Sequence, residues 1–424
     1  MDVLVESAAG LEAALATGRA EGARWRSNSP LAMERMRASG LDAAWPEDLL
    51  PPGLPDRLGF AALDAANRLL PALERASEAA GIPSAEHAVL PLQRLLAALA
   101  YKEAVFEAWL AATPGPHLVV GEPRLSPTRG MDLDFYDTMF AVLADRRGVE
   151  ILPLPVGDRA ALRREIDQLT IHDRLLSFLD LGPAQVVHRW LLLARRGRVL
   201  GLPGGPLVRV LGDNDLVREL LPWVLARGGR LVNEPPVAPG ETDAASLPGL
   251  PGAGEVADAL AAACAGRGLD LRLEAAPVLA AERLAQASRW WRPAARAARE
   301  RIGTWLAGGG PQALVANTIS GPGGHFLAAE ARQAGIPVIV AEHGVSAGLT
   351  CFHEPLRPYS EAKPCHIYLA CSENTARFLD QEPGLAGRSL VVGLPARMRS
   401  VPLRGLQRLL TRRRLGAQIG RAHV

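Results

Sequence analysis

The chain has 424 residues, 48% hydrophobic and 22% charged, with 47 Lys and Arg against 45 Asp and Glu for a formal net charge of +2. That length accommodates two or three ordinary domains, and that composition fits a globular chain with a sizeable core, which excludes a disordered one. A balance so near neutral creates no strong field for nucleic acid, so no nucleic-acid partner is expected.

The N-terminus lacks the basic region and long apolar core of a secretory leader, and residues 3–5 read as a first strand. A small-residue turn at 7–10 leads into a helix over 11–17, a Rossmann-type opening without the G-x-G-x-x-G dinucleotide fingerprint. Ser7 is placed to offer a hydroxyl to a ligand or to cap that helix. The proline-rich stretch 46–55 breaks the pattern, and helices follow at 57–80 and 85–112. In the second, Leu90, Leu92, Leu95, Leu96 and Leu99 crowd one side, extended by Phe106 and Trp109, as core residues do. A strand at 117–121, a helix at 135–146 and a strand at 149–153 make a β-α-β unit of a parallel sheet. The link 122–134, with Arg124, Arg129 and Asp132, reads as a solvated loop. Asp132-Leu133-Asp134 lies in it rather than at a strand end, so no metal site is expected.

Helices at 158–181 and 184–196 carry His172 and His188 as surface or satisfied core residues. The longest apolar run, 186–194, is interrupted by His188 and Arg189. No run approaches the ~20 residues that span a bilayer. The expected location is the cytoplasm, with at most peripheral contact at the inner membrane face. A strand at 207–211 precedes Asp213-Asn214-Asp215, a good cap for a helix at 216–226. After a short strand at 230–232, the Pro- and Gly-dense segment 234–254 reads as an irregular connection or flexible linker with solvated acidic residues. A helix at 255–265 and one long helix at 277–306 follow, with Trp290, Trp291 and Trp305 packing against neighbours.

The informative region is 313–397. A strand at 313–316 runs into the polar, glycine-rich turn 317–325 and a helix at 326–333 closed by Gly335. Such a turn offers free N–H groups and the positive end of a helix dipole, but it lacks the Lys-Ser/Thr of a P-loop. A strand at 337–341 then ends abruptly in Glu342-His343-Gly344, at the edge where open parallel sheets bind ligands. A strand at 366–370, a helix from Ser372 to 380 with Glu373 near its start, and a strand at 388–392 complete the block. Cys264, Cys351, Cys365 and Cys371 form no CxxC pair and read as free thiols in a reducing compartment. Only Lys102 and Lys363 are lysines, and the arginine richness reads as coding bias rather than phosphate recognition.

The order Gly335-Ile336-Pro337, Glu342-His343-Gly344, Ala370-Cys371-Ser372-Glu373 and Val391-Val392-Gly393-Leu394-Pro395-Ala396-Arg397 resembles the end of the N-terminal domain of GT-B glycosyltransferases. It is most similar to bacterial enzymes of surface polysaccharide (capsule and lipopolysaccharide) synthesis, and the glycerophosphotransferases of teichoic-acid synthesis share the pattern. The resemblance is best over 313–399. Glu342 stands where many relatives have glutamine, and the segment ending at Arg397 is one residue longer than the usual arrangement.

The resemblance implies an α/β fold in which a Rossmann-like parallel sheet with flanking helices and helical insertions forms the N-terminal half of a GT-B fold. Residues 1–398 would be one acceptor-side domain, 399–417 a linker stub, and the donor-binding domain would be absent, leaving the chain inactive alone. The last seven residues, 418–424, back-translate into the opening of a common sequencing adapter and read as a non-native tail, which discounts His423. The implied activity moves a sugar from a nucleotide-sugar donor to a glycan or lipid-linked acceptor. His343 would be the general base or a donor-phosphate contact. Gly344 would let the loop approach substrate, and Glu342 would orient His343 or hold an acceptor hydroxyl. Asn317, Ser320 and His325 would line the same cleft, with Ser7, Ser346, Ser372 and Glu373 completing the substrate-binding set. No cofactor is implied. The alternatives are a non-catalytic glycan- or nucleotide-binding module, a nucleotide-sugar epimerase, or a glycerophosphotransferase of the same fold.

Overall fold

The computed structural model describes residues 1–18, 22–125, 130, 131, 133, 138–154, 199–212, 214–235, 237, 242–319, 321–343, 358–382 and 384–394. The expected helices at 158–181 and 184–196, Ser320, Gly344, Ser346, Cys351, Arg397 and everything from 399 onward lie outside them.

Two all-parallel sheets organise the chain. In the first, β1 (Asp2–Val5), β2 (Arg24–Ser27), β3 (Ala43–Ala44), β4 (His117–Val120) and β5 (Glu150–Leu152) lie in the order β3-β2-β1-β4-β5. In the second, β6 (Leu207–Leu211), β7 (Arg230–Asn233), β8 (Gln312–Ala316), β9 (Val338–Ala341), β10 (Ile367–Ala370) and β11 (Ser389–Val391) lie in the order β11-β10-β9-β8-β6-β7. The α/β class with Rossmann-like parallel sheets is therefore what the chain adopts. Residues 1–398, expected as one such unit, carry two sheets. Leu207 finds its partners in Arg230 and Gln312 rather than in any strand before it, and this pairing is invisible in local sequence. In each sheet the order reverses once, between β1 and β4 and between β6 and β8, and ligand crevices open at such points.

Helices cover both faces of each sheet. On the first sheet α1 (Ala8–Ala16) and α2 (Pro30–Ala38) close over Val3, Val5 and Trp25. On the second, α6 (Asp215–Ala226) closes over Val210 and Val315. Between the sheets lies a helical layer of α3 (Leu54–Ala79), α4 (Val89–Ala112), α7 (Ala253–Gly266) and α8 (Ala275–Ser288). One continuous core runs from Leu4 and Val119 through Leu95, Phe106 and Trp109 of α4 to Leu314 and Val338 of the second sheet. The remaining helices are α5 (Met139–Arg147), α9 (Trp291–Ala307), α10 (Pro322–Gln333) and α11 (Glu373–Asp380). Among the described residues no helix is long and apolar enough to cross a membrane.

Several elements depart from expectation for identifiable reasons. The strand β2 escapes sequence reading because Arg24-Trp25-Arg26-Ser27 has one large apolar residue. It is held by burial of Trp25 and by Arg24 reaching Asp2 at 2.6 Å. The expected single helix over 277–306 is two, α8 and α9. Pro293 has no N–H for the Arg289 carbonyl one turn back, and that carbonyl instead accepts from the Asp243 N–H at 2.9 Å. The same contact decides between the two readings of 234–254: its described residues form a packed irregular connection rather than a flexible linker, and the acidic residues Glu234 and Asp243 pair with arginines instead of lying solvated. Asp243 pairs with Arg292 at 2.7 Å, and Leu247 is buried and donates its N–H to Ser288 Oγ. Glu234 is buried between Arg209 and Arg301 at 3.2 and 3.1 Å, and burial still pushes its carboxyl up against the pull of both cations.

Candidate functional site at the carboxyl ends of the second sheet

The strand β9 is built as its sequence implies. Val338, Val340 and Ala341 are fully buried, and pairing with β8 and β10 fixes where the strand stops. Glu342, the next residue, is 1% exposed. Its Oε2 accepts from the Cys371 N–H at 2.6 Å and its Oε1 from the Thr375 hydroxyl at 3.2 Å. Its N–H donates to the Leu369 carbonyl, and its own carbonyl accepts from Asn214 Nδ2 at 2.7 Å. Asn214 meanwhile caps α6, its Oδ1 accepting from the Val217 N–H at 2.8 Å. Glu342 thus ties the ends of β6, β9 and β10 together, and both carboxylate oxygens are engaged by the protein itself. The expectation that it holds an acceptor hydroxyl gives way to a structural role.

His343 emerges from this knot with an exposed side chain. Its N–H donates to Glu361 Oε2 at 3.4 Å. Glu361, 5% exposed in the single π turn Pro358–Ala362, also accepts from the Tyr368 hydroxyl. Buried Glu342 and buried Glu361 therefore anchor the main chain leading into a solvent-facing imidazole.

Asn317 directly follows neighbouring β8, whose last residue, Ala316, is the register partner of Val340 on β9. Its Oδ1 accepts from the Thr318 N–H at 2.7 Å. It lies against Gly212, whose φ of +73° suits glycine and where a Cβ would come within 2.7 Å of that oxygen. Asn214, Asn317 and His343 thus come from the ends of β6, β8 and β9, beside the point where the strand order reverses. An imidazole there can accept a proton or, once protonated, face a negative charge.

The other expected residues are placed elsewhere. The helix α10 begins at Pro322, so Gly323, Gly324 and His325 belong to its first turn rather than to a ligand loop. At Gly323 a Cβ would lie 2.3 Å from the Val237 carbonyl oxygen, so that glycine serves close backbone approach. His325 packs toward His87, ring centroids 6.3 Å apart, at the turn between α3 and α4. Burial, and then the neighbouring His87, push its pKa down to about 3. Ser7 caps α1, accepting from the Gly10 N–H at 3.0 Å. Ser372 caps α11, accepting from the Thr375 N–H at 3.2 Å. Glu373 is exposed and pairs with Arg377 one turn on at 2.8 Å, a contact worth little in water. Cys264, Cys365 and Cys371 are buried and form no disulfide among the described residues. Among the described residues no group of three His, Cys, Asp or Glu side chains could hold a metal ion.

Sequence reasoning missed Glu361 and the bridging role of Asn214. Asn214 was legible as a cap, but nothing local links it to a residue 128 positions away. Glu361 lies in a stretch with no periodicity to mark it. Comparison of the chain with protein families, with curated proteins and with solved structures finds no match.

Proposed function

We propose that the chain belongs to a glycosyltransferase that moves a sugar from a nucleotide donor to a hydroxyl of a glycan or lipid-linked acceptor, with His343 as the general base or the donor-phosphate contact. The observation that carries this reading is the exposed His343 imidazole at the carboxyl end of β9, its main chain held by buried Glu342 and Glu361 beside the reversal of strand order. Rigid support under an exposed titratable ring is what proton transfer requires of its scaffold. The resemblance of the 313–399 block to surface-polysaccharide enzymes supports the choice of substrate class.

The test is turnover of a panel of nucleotide-diphosphate sugars by the full-length protein, with and without glycan acceptors, compared with His343→Ala in the same protein. The variant is expected to keep the parent's circular dichroism and to lose about 100-fold or more in rate, the size of a general-base contribution. Parental rates in His343→Ala, or no turnover of any nucleotide sugar by the parent, would refute the reading.

A further inference from the structure

The segment between α7 and α8 has the sequence of a strand, yet it pairs with no strand among the described residues. Leu269-Asp270-Leu271-Arg272-Leu273-Glu274 alternates apolar and charged residues without a break, the period of an extended chain with one buried face. Burial follows that period. Leu269 is buried, Leu271 and Leu273 pack half-buried against the main core, and Asp270, Arg272 and Glu274 are exposed. Both ends are tied down. The Leu269 N–H donates to the Cys264 carbonyl at 2.9 Å, and the Glu274, Ala275 and Ala276 N–H groups donate to the buried Glu103 carboxylate at 2.8, 2.8 and 2.7 Å. Between those ties the main-chain N–H and C=O groups of Asp270, Leu271, Arg272 and Leu273 meet no hydrogen-bond partner among the described residues. Beside the segment lies a groove of about 820 Å³, which it lines together with Leu50, Leu54 and three small residues spaced along one face of α4, Ala104, Ala108 and Ala111. An extended segment held at both ends, with an unpaired edge along a groove, is a template for another strand about 4.8 Å away.

The charges identify that strand. Read backwards, Leu269-Asp270-Leu271-Arg272-Leu273 keeps its apolar positions and exchanges its charges. Set antiparallel on itself about Leu271, the segment places Leu269 opposite the partner's Leu273, Leu271 opposite the partner's Leu271, and Asp270 opposite the partner's Arg272. The leucines share one face and opposite charges meet on the other, the pairs that stabilise an antiparallel ladder. A slip of one residue sets leucine against charge, and a slip of two sets Asp270 or Arg272 against its own copy, so the register is specified. Neither charge is committed elsewhere. Asp270 has no ion pair among the described residues. Arg272 reaches Glu274 at 2.8 Å with 90% of its side chain exposed, a contact worth little in water. Self-complementarity of this kind is what a twofold contact between identical chains requires.

We propose that the chain pairs with a second copy of itself through antiparallel addition of segment 269–273 across a twofold axis at Leu271. Asp270 and Arg272 exchange main-chain hydrogen bonds with the partner's Arg272 and the partner's Asp270, and Leu271 faces the partner's Leu271 at a position without such bonds. The contact has no part in the His343 site and stands whether or not the chain transfers sugar.

The experiment is sedimentation velocity of the full chain over a concentration series. The parent is expected to pass from monomer to dimer as concentration rises into the micromolar range. Asp270→Arg sets like charges against each other at both symmetric pairs and is expected to weaken the dimer about tenfold or more. Combining Asp270→Arg with Arg272→Asp restores opposite charges and is expected to recover the parent's dissociation constant, which damage to the fold would not allow. At Leu271 the facing Cα atoms are expected about 4.5 Å apart, inside the roughly 4.4–6.8 Å that a disulfide spans. Leu271→Cys is therefore expected to give a covalent dimer on oxidation with diamide, and Asp270→Cys, which faces arginine rather than its own copy, is not. A parent that stays monomeric into the millimolar range, a dimer indifferent to Asp270→Arg, a folded double variant that stays dissociated, or equal cross-linking of the two cysteine variants overturns the proposal. If the double variant fails to fold, the two cysteine variants decide by the same criterion.

Discussion

Removing the Glu342 carboxylate tests whether the knot of strand ends is what holds the exposed histidine. In Glu342→Ala the Cys371 N–H loses its acceptor inside the protein, while the Thr375 hydroxyl retains Ser372 Oγ at 3.1 Å. An orphaned buried N–H together with a lost bond to an ionised acceptor costs about 3 kcal/mol. In Glu342→Gln the amide oxygen still accepts from Cys371, and the NH2 group donates to the Thr375 oxygen, whose proton turns to Ser372. Only the charge assistance is lost, about 1 kcal/mol. A chain with two sheets need not unfold in one step, so the direct assay is hydrogen exchange at the Cys371 amide, which reads opening of this corner alone. Exchange at that amide is expected to be about 100-fold faster in the alanine variant and several-fold faster in the glutamine variant. Unchanged protection in Glu342→Ala, or an equal effect of the two substitutions, would refute the account.

Stability is expected to fall in mild acid through His87. This ring is 1% exposed between Trp291 and Phe326, and burial lowers its pKa from 6.5 to about 4. Its folded-state pKa is depressed, so the unfolded chain binds the proton first. Stability is intact above pH 6.5, falls as pH drops, and is lower by about 2 kcal/mol at pH 5. His325 acts in the same direction. Urea titrations at pH 7 and pH 5 check this, and His87→Phe should show the shallower pH dependence; equal slopes would be inconsistent with a neutral buried ring. At Gly323 an alanine Cβ would press on the Val237 carbonyl oxygen at 2.3 Å, so Gly323→Ala should lower thermal stability by about 1–3 kcal/mol. An unchanged melting temperature would show that the 237 segment can move aside.

Local sequence carried the class of the fold and the location of the exposed His343 at a strand end. Strands buried on both faces must be continuous apolar runs, so β1, β4, β6, β8, β9 and β10 could be read directly. Helices with long apolar faces, such as α3 and α4, and the Asn214-capped α6 were equally plain. What required the folded chain were facts about pairs of residues far apart in sequence. That β6 begins a second sheet is a matter of register with β7 and β8. The arginine-flanked β2 is a strand because Trp25 has a core to enter. Glu342 looks like a site residue beside His343, yet its carboxylate is claimed by an amide 29 residues later, and Asn214 reaches its carbonyl across 128 residues. A polar side chain at a strand end has the same local signature whether it faces a ligand or a neighbouring loop. Only tertiary structure decides, because a buried hydrogen-bonding group must find a partner, and the first protein group within reach removes it from binding.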